Sequence, residues 1–101
     1  MRLILFFDLP TLTSKERKDY RSFRNNLVKE GFIMLQESVY SKLIFNRTSL
    51  DLVKNRIAKM CPKEGSVMCL TVTEKQFDSM NIFCGDIDFT VADTIDTLMI
   101  L

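Results

Sequence analysis

Five consecutive apolar side chains, Leu3, Ile4, Leu5, Phe6 and Phe7, run directly into Asp8 and then Leu9-Pro10. No other stretch constrains the fold as tightly. A run this short, closed by a proline, is a strand rather than a helix, and it leaves no room for a membrane span or a signal-peptide core. Its apolar residues do not alternate with polar ones, so both of its faces should be covered. The strand also delivers a carboxylate, Asp8, to its own end.

Behind it, Thr13 and Glu16 have capping-box spacing for a helix that begins near Ser14. Tyr20, Phe23 and Leu27 form the apolar stripe of this helix, and Gly31 is its natural stop. Lys15, Arg17, Lys18, Arg21, Arg24 and Lys29 occupy the remaining positions, which makes the outward face basic. Arg17, Arg21 and Arg24 recur at steps of four and three and so share one side of the helix. Phe32 to Gln36 and Ser38 to Phe45 read as two strands with a reversal or bulge around Gln36-Glu37. A second helix is expected from the capping spacing of Thr48 and Asp51, with Leu50, Val53, Ile57 and Met60 as its stripe and Cys61-Pro62 as its end. Lys63-Glu64-Gly65 is a turn, and Ser66 to Val72 is a fourth strand, apolar on both faces like the first.

Strand, helix, strand, strand, helix, strand is the split β-α-β order of an α+β, ferredoxin-like fold. Two helices cover only one face of such a sheet, while strands one and four offer apolar residues to both. A homodimer packed through the open sheet faces about a two-fold axis resolves the conflict. Beyond Phe77 the pattern weakens, Gly85 to Asp96 is acidic and turn-like, and Thr97 to Leu101 is expected as a short extra C-terminal strand added to an edge. Residues 1–101 read as a single domain.

Composition narrows the chemistry. The formal charge of +1 divides into +6 over residues 1–60, with twelve Lys/Arg against six Asp/Glu, and −5 over residues 61–101, with two against seven. The basic half suits a polyanion. Cys61, Cys69 and Cys84 form an odd set without C-x-x-C spacing, which points to core thiols in a reducing cytoplasm rather than to disulfides or a zinc site. Histidine is absent, so the usual general base is missing and any metal would be a hard cation held by oxygen.

Four motifs then stand out: Leu5-Phe6-Phe7-Asp8-Leu9-Pro10; the helix with Arg17, Tyr20-Arg21, Phe23-Arg24 and Leu27; Glu30-Gly31-Phe32; and Gln36-Glu37-Ser38-Val39-Tyr40-Ser41-Lys42. Through them the whole chain resembles the small CRISPR-associated family that partners the integrase in spacer acquisition, the second of its two core adaptation proteins. Leu70-Thr71-Val72-Thr73-Glu74-Lys75-Gln76-Phe77 looks like the type II branch. The resemblance implies ferredoxin-like homodimers whose last strand crosses to the partner's sheet. It also implies a role for Asp8 as the catalytic and metal residue, with two copies facing each other and sharing a Mg²⁺. Metal-dependent cleavage of single-stranded RNA or double-stranded DNA is attributed to such proteins. Within the integration complex the dimer instead spaces the integrase subunits and holds the incoming protospacer duplex.

A phosphodiesterase without histidine needs metal-activated water, and Asp8 supplies one ligand per chain. Thr11, Thr13 and Ser38 could add hydroxyls, and Glu37 and Glu30 are the other acids in reach of consideration. The lesser alternative for Asp8 is a strand-end carboxylate that accepts backbone N–H bonds in the Leu9-Pro10 turn. Holding a duplex needs only cations spaced to meet phosphates, which Arg17, Arg21 and Arg24 offer, with Arg2 and Lys42 as weaker candidates. The favoured expectation is therefore a DNA-binding scaffold, with a Mg²⁺-dependent endonuclease using Asp8 as the alternative. A ferredoxin-like dimer that binds a small metabolite is a third reading, unsupported by any Gly-rich phosphate loop or cluster of acids.

Overall fold

The structure is a computed structural model and describes residues 1–85. The expected C-terminal strand and the acidic stretch from Asp86 to Asp96 lie outside the described residues.

Strand β1 (Arg2–Asp8) leads into helix α1 (Ser14–Lys29), then β2 (Ile33–Gln36), β3 (Val39–Leu43), helix α2 (Arg47–Met60), β4 (Ser66–Val72) and a short helix α3 (Glu74–Asp78). The four strands form one antiparallel sheet in the order β2-β3-β1-β4, the ferredoxin-like arrangement. The apolar first strand is thus central, hydrogen-bonded on both sides.

Local chemistry accounts for each helix end. Thr13 Oγ1 accepts from Glu16 N at 3.1 Å while the Glu16 carboxylate accepts from Thr13 N at 2.8 Å, the reciprocal capping box that the sequence predicts. Past the other end of α1, Gly31 takes φ +95°. The start of α2 differs from expectation. Asn46, not Thr48, is the N-cap, and its side chain accepts from Ser49 N at 2.8 Å. The Asn46-to-Ser49 step has the same length as the Thr48-to-Asp51 step, so spacing does not separate the two.

Alternation sorts the sheet into two faces. Leu3, Leu5 and Phe7 pack under the helices with Phe23, Leu27, Tyr40, Leu50, Val53 and Ile57. Phe7 is the hub of an aromatic cluster, with centroids 5.1 Å from Phe23, 5.6 Å from Tyr40 and 6.0 Å from Tyr20. On the opposite face, Ile4 gathers Leu35 and Phe77, with Phe6, Val39 and Val72 beside them. Here the sequence expectation needs correction, because two helices are not the whole cover. Helix α3 folds back and lays Phe77 over the second face. It is clamped there by Arg2, whose Nε meets both Glu74 carboxylate oxygens at 3.1 and 3.0 Å and whose guanidinium lies 4.4 Å from the Phe77 ring centroid. Cover is still partial: Met68 and Leu70 on β4 remain 64% and 55% exposed.

The cysteines also depart from expectation. Cys69 and Cys84 are exposed and only Cys61 is partly buried, since β4 is an edge of the sheet among the described residues and residue 84 lies past α3. All three are free, and burial pushes the Cys61 thiol up.

Candidate functional site: a strand-end carboxylate and a basic helix face

Asp8 sits at the exposed end of β1. By alternation it belongs to the face that carries Ile4 and Phe6, the side that the long helices leave open. Three backbone features fix its place. Phe7 N donates to Ser38 O at 3.0 Å, which ties the strand end to the β2–β3 turn, where Ser38 itself adopts φ +68°. The register with β4 sets Ser66 opposite Asp8. Gly65, at φ +95°, packs so closely that a Cβ there would stand 2.6 Å from Asp8 O and 2.8 Å from Leu9 Cδ2. Sequence reasoning misses Gly65 and Ser66 as neighbours of Asp8, because only strand pairing brings them there.

Among the described residues, no group of three or more acidic, histidine or cysteine side chains is placed to hold a metal. Glu30 is removed from consideration. It lies at the end of α1, where its carbonyl accepts from Lys42 Nζ, and Lys42 pairs with Leu3, five residues before Asp8 and so roughly 17 Å along the strand. The Glu30 carboxylate is also committed to Arg56 at 3.2 Å. The Thr13 hydroxyl is used in capping, and Glu37 stays exposed in the turn that carries Ser38. Among the described residues, Asp8 is thus not part of a cluster of three or more ligating side chains.

The cations fall into two sets. Arg21 and Arg24 are exposed and make no hydrogen bond or ion pair among the described residues. Arg17 is exposed too, but its guanidinium donates to Thr11 O at 3.2 Å, Leu12 O at 2.8 Å and Ser14 Oγ at 3.3 Å, so it ties down the loop before its own helix. The weaker candidates are structural in this chain: Arg2 is buried against Glu74 and Phe77, and Lys42 caps the end of α1. The Glu30-Gly31-Phe32 motif and Lys42 are in fact one device. A Cβ on Gly31 would stand 2.6 Å from the Lys42 ammonium, and Phe32 fills the core beneath. Arg24 also acts on Tyr40: burial pushes the phenol up, and the nearby guanidinium partly opposes it.

Comparison with known proteins decides the family. Residues 1–80 match the family model described as CRISPR associated protein Cas2. The chain belongs to the Cas2 family. Relatives named CRISPR-associated endoribonuclease Cas2 include one from Treponema denticola, 48% identical over 101 residues and covering all of both chains. Another, from Streptococcus mutans, is 48% identical over 101 residues, covering all of this chain and 93% of that one. In three dimensions the chain is similar to the crystal structure of Streptococcus pyogenes Cas2 at pH 6.5, with a TM-score of 0.64 and 17% identity, covering 83% of this chain and all of the other. The ferredoxin-like fold and the Cas2 resemblance read from the motifs are thus borne out. Among the described residues, no helix of this chain is long and apolar enough to cross a membrane.

Proposed function

We propose that this Cas2 chain acts as a homodimeric subunit that holds duplex DNA during CRISPR spacer acquisition, together with the integrase subunit. The observation that carries this reading is the pair of exposed guanidinium groups at Arg21 and Arg24, uncommitted among the described residues and four and seven residues along the helix from Arg17. A two-fold dimer doubles the stripe, and a sequence-independent hold on a duplex asks for nothing more than spaced cations. The half-covered apolar face, with Met68 and Leu70 open, supports the dimer. In cells, array expansion should persist when Asp8→Ala replaces the wild type and should fall when Arg21 and Arg24 are both replaced by alanine. Loss of expansion with Asp8→Ala, in a protein that still folds and binds duplex, would overturn the scaffold reading.

A second reading is favoured by the names of the relatives, which are called endoribonucleases. In it, Asp8 from each of two copies holds one divalent cation, Mg²⁺ being the hard ion that suits carboxylate oxygen. Such an ion would activate water and offset charge on a phosphate. This chain's own contribution is to hold Asp8 at the strand end through Ser38, Ser66 and Gly65. Cleavage of single-stranded RNA or duplex DNA that requires the cation and is abolished by Asp8→Asn would support it.

A further inference from the structure

Between helix α1 and strand β2, an edge of the sheet among the described residues, runs an open groove of about 500 Å³. Arg24 and Asn25 line it from α1, and Tyr40 lines it from β3. Val28 and Met34, 58% and 57% exposed, give it apolar walls together with Ile33. No acidic side chain lines it.

Tyr40 is the unusual member. Its ring is buried and stacks on Phe7 at a centroid distance of 5.6 Å, yet among the described residues its hydroxyl makes no hydrogen bond. A tyrosine packed this deeply ordinarily finds a partner for its hydroxyl, so one that reaches an open groove without a partner is set to take one from outside the chain. Arg24 is equally uncommitted among the described residues and acts on the phenol more strongly than Tyr20 or Glu37 does. Burial pushes the phenol up, so at neutral pH the hydroxyl keeps its proton and can donate it. A cation and a neutral donor side by side, in a groove without an acid, select an anion. A protein carboxylate would satisfy this pair alone. Arg21, also free among the described residues, stands one turn back on the same side of α1, and a row of cations matches an anion that repeats, as backbone phosphates do.

We infer that the Tyr40 hydroxyl and the Arg24 guanidinium together bind one backbone phosphate of the duplex, each donating to a non-bridging oxygen, with Val28 and Met34 against the adjoining sugar. The inference deepens the duplex-holding reading and rests on it. It gives the hydroxyl a task that packing does not, because the core uses only the ring. The subsite is separate from Asp8: Tyr40 packs with Phe7 beneath the long helices, whereas Asp8 belongs to the opposite face of the sheet.

Tyr40→Phe keeps the ring and removes only the hydroxyl. The whole chain should be titrated with duplex DNA over a range of salt, alongside Arg24→Ala and the variant that carries both changes. Tyr40→Phe should weaken binding about tenfold and leave the melting temperature without DNA unchanged, since the hydroxyl has no partner in the chain to lose. Its salt slope should match the wild type, because a neutral group releases no counterion, whereas Arg24→Ala should flatten the slope by about 0.9. Added to Arg24→Ala, the tyrosine change should cost clearly less than it does alone, as expected of two groups on one phosphate. Unchanged duplex affinity in Tyr40→Phe, with Arg24→Ala still weakened, would overturn the inference and leave duplex holding intact. A lowered melting temperature in Tyr40→Phe would make the hydroxyl structural and overturn it too. So would lost binding to the integrase subunit at unchanged duplex affinity, which would assign the groove to a protein carboxylate. If replacing Arg21 and Arg24 together leaves duplex affinity unchanged, the reading of the helix face falls and the inference with it.

Discussion

At the scale of single residues, the site depends on backbone as much as on side chains. Asp8 is presented by a glycine far away in sequence, and Gly65 tolerates no Cβ both because of its φ and because Asp8 O and Leu9 occupy the space. Gly65→Ala should therefore cost about 1–3 kcal/mol, read as a lower denaturation midpoint. A wild-type midpoint would mean that the turn relaxes without cost. Lys42 gives a contrasting test, since its ammonium is spent on the Glu30 carbonyl. Lys42→Met should lower stability by about 1 kcal/mol and leave duplex affinity unchanged, whereas Arg21→Ala should do the reverse. Asp8 as a strand-end acid and the arginine stripe were both legible in the sequence, because each follows from an apolar pattern running through them. How each cation is used was not. Arg17 and Arg2 are chemically equivalent to Arg21, and only the fold decides that one anchors a loop and another is buried on Glu74.

At the scale of elements, what sequence could reach was set by length and repetition. Strands β1 and β4 and helices α1 and α2 repeat their apolar signal often enough to be read, and α1 agrees with its sequence pattern down to the capping box. Helix α3 has five residues and one buried apolar side chain, too few for periodicity. Its real signature is the Thr73 to Gln76 capping box, with Thr73 Oγ1 accepting from Gln76 N at 3.0 Å. That short element matters beyond its size, because Phe77 closes the second hydrophobic cluster over Ile4 and Leu35. Phe77→Ala should cost about 3 kcal/mol or more, as much as a truncation in the main core, and calorimetry would show it. A change below about 1 kcal/mol would mean that α3 contributes little to the fold.

At the scale of the whole molecule, the proposed homodimer rests on the unequal faces of the sheet among the described residues. Among the described residues, one face is filled by two amphipathic helices, and the other by a five-residue helix that leaves Met68 and Leu70 open on β4. The sequence anticipated the imbalance from the two-sided apolar character of β1 and β4, and the structure locates what remains uncovered. Replacing Met68 and Leu70 by aspartate should yield a folded monomer by light scattering; a dimer that survives both charges would move the interface elsewhere. In the proposed dimer, pairing two copies would also double the arginine stripe and give each Asp8 a counterpart. The most direct measurement is duplex affinity as a function of salt for the wild type, the Arg21→Ala, Arg24→Ala double variant and Asp8→Ala. The double variant should bind more weakly, with a salt slope shallower by about 0.9 for each phosphate that the two arginines neutralise in the wild type, while Asp8→Ala matches the wild type. An unchanged slope in the double variant would contradict the assignment of this helix face to duplex DNA.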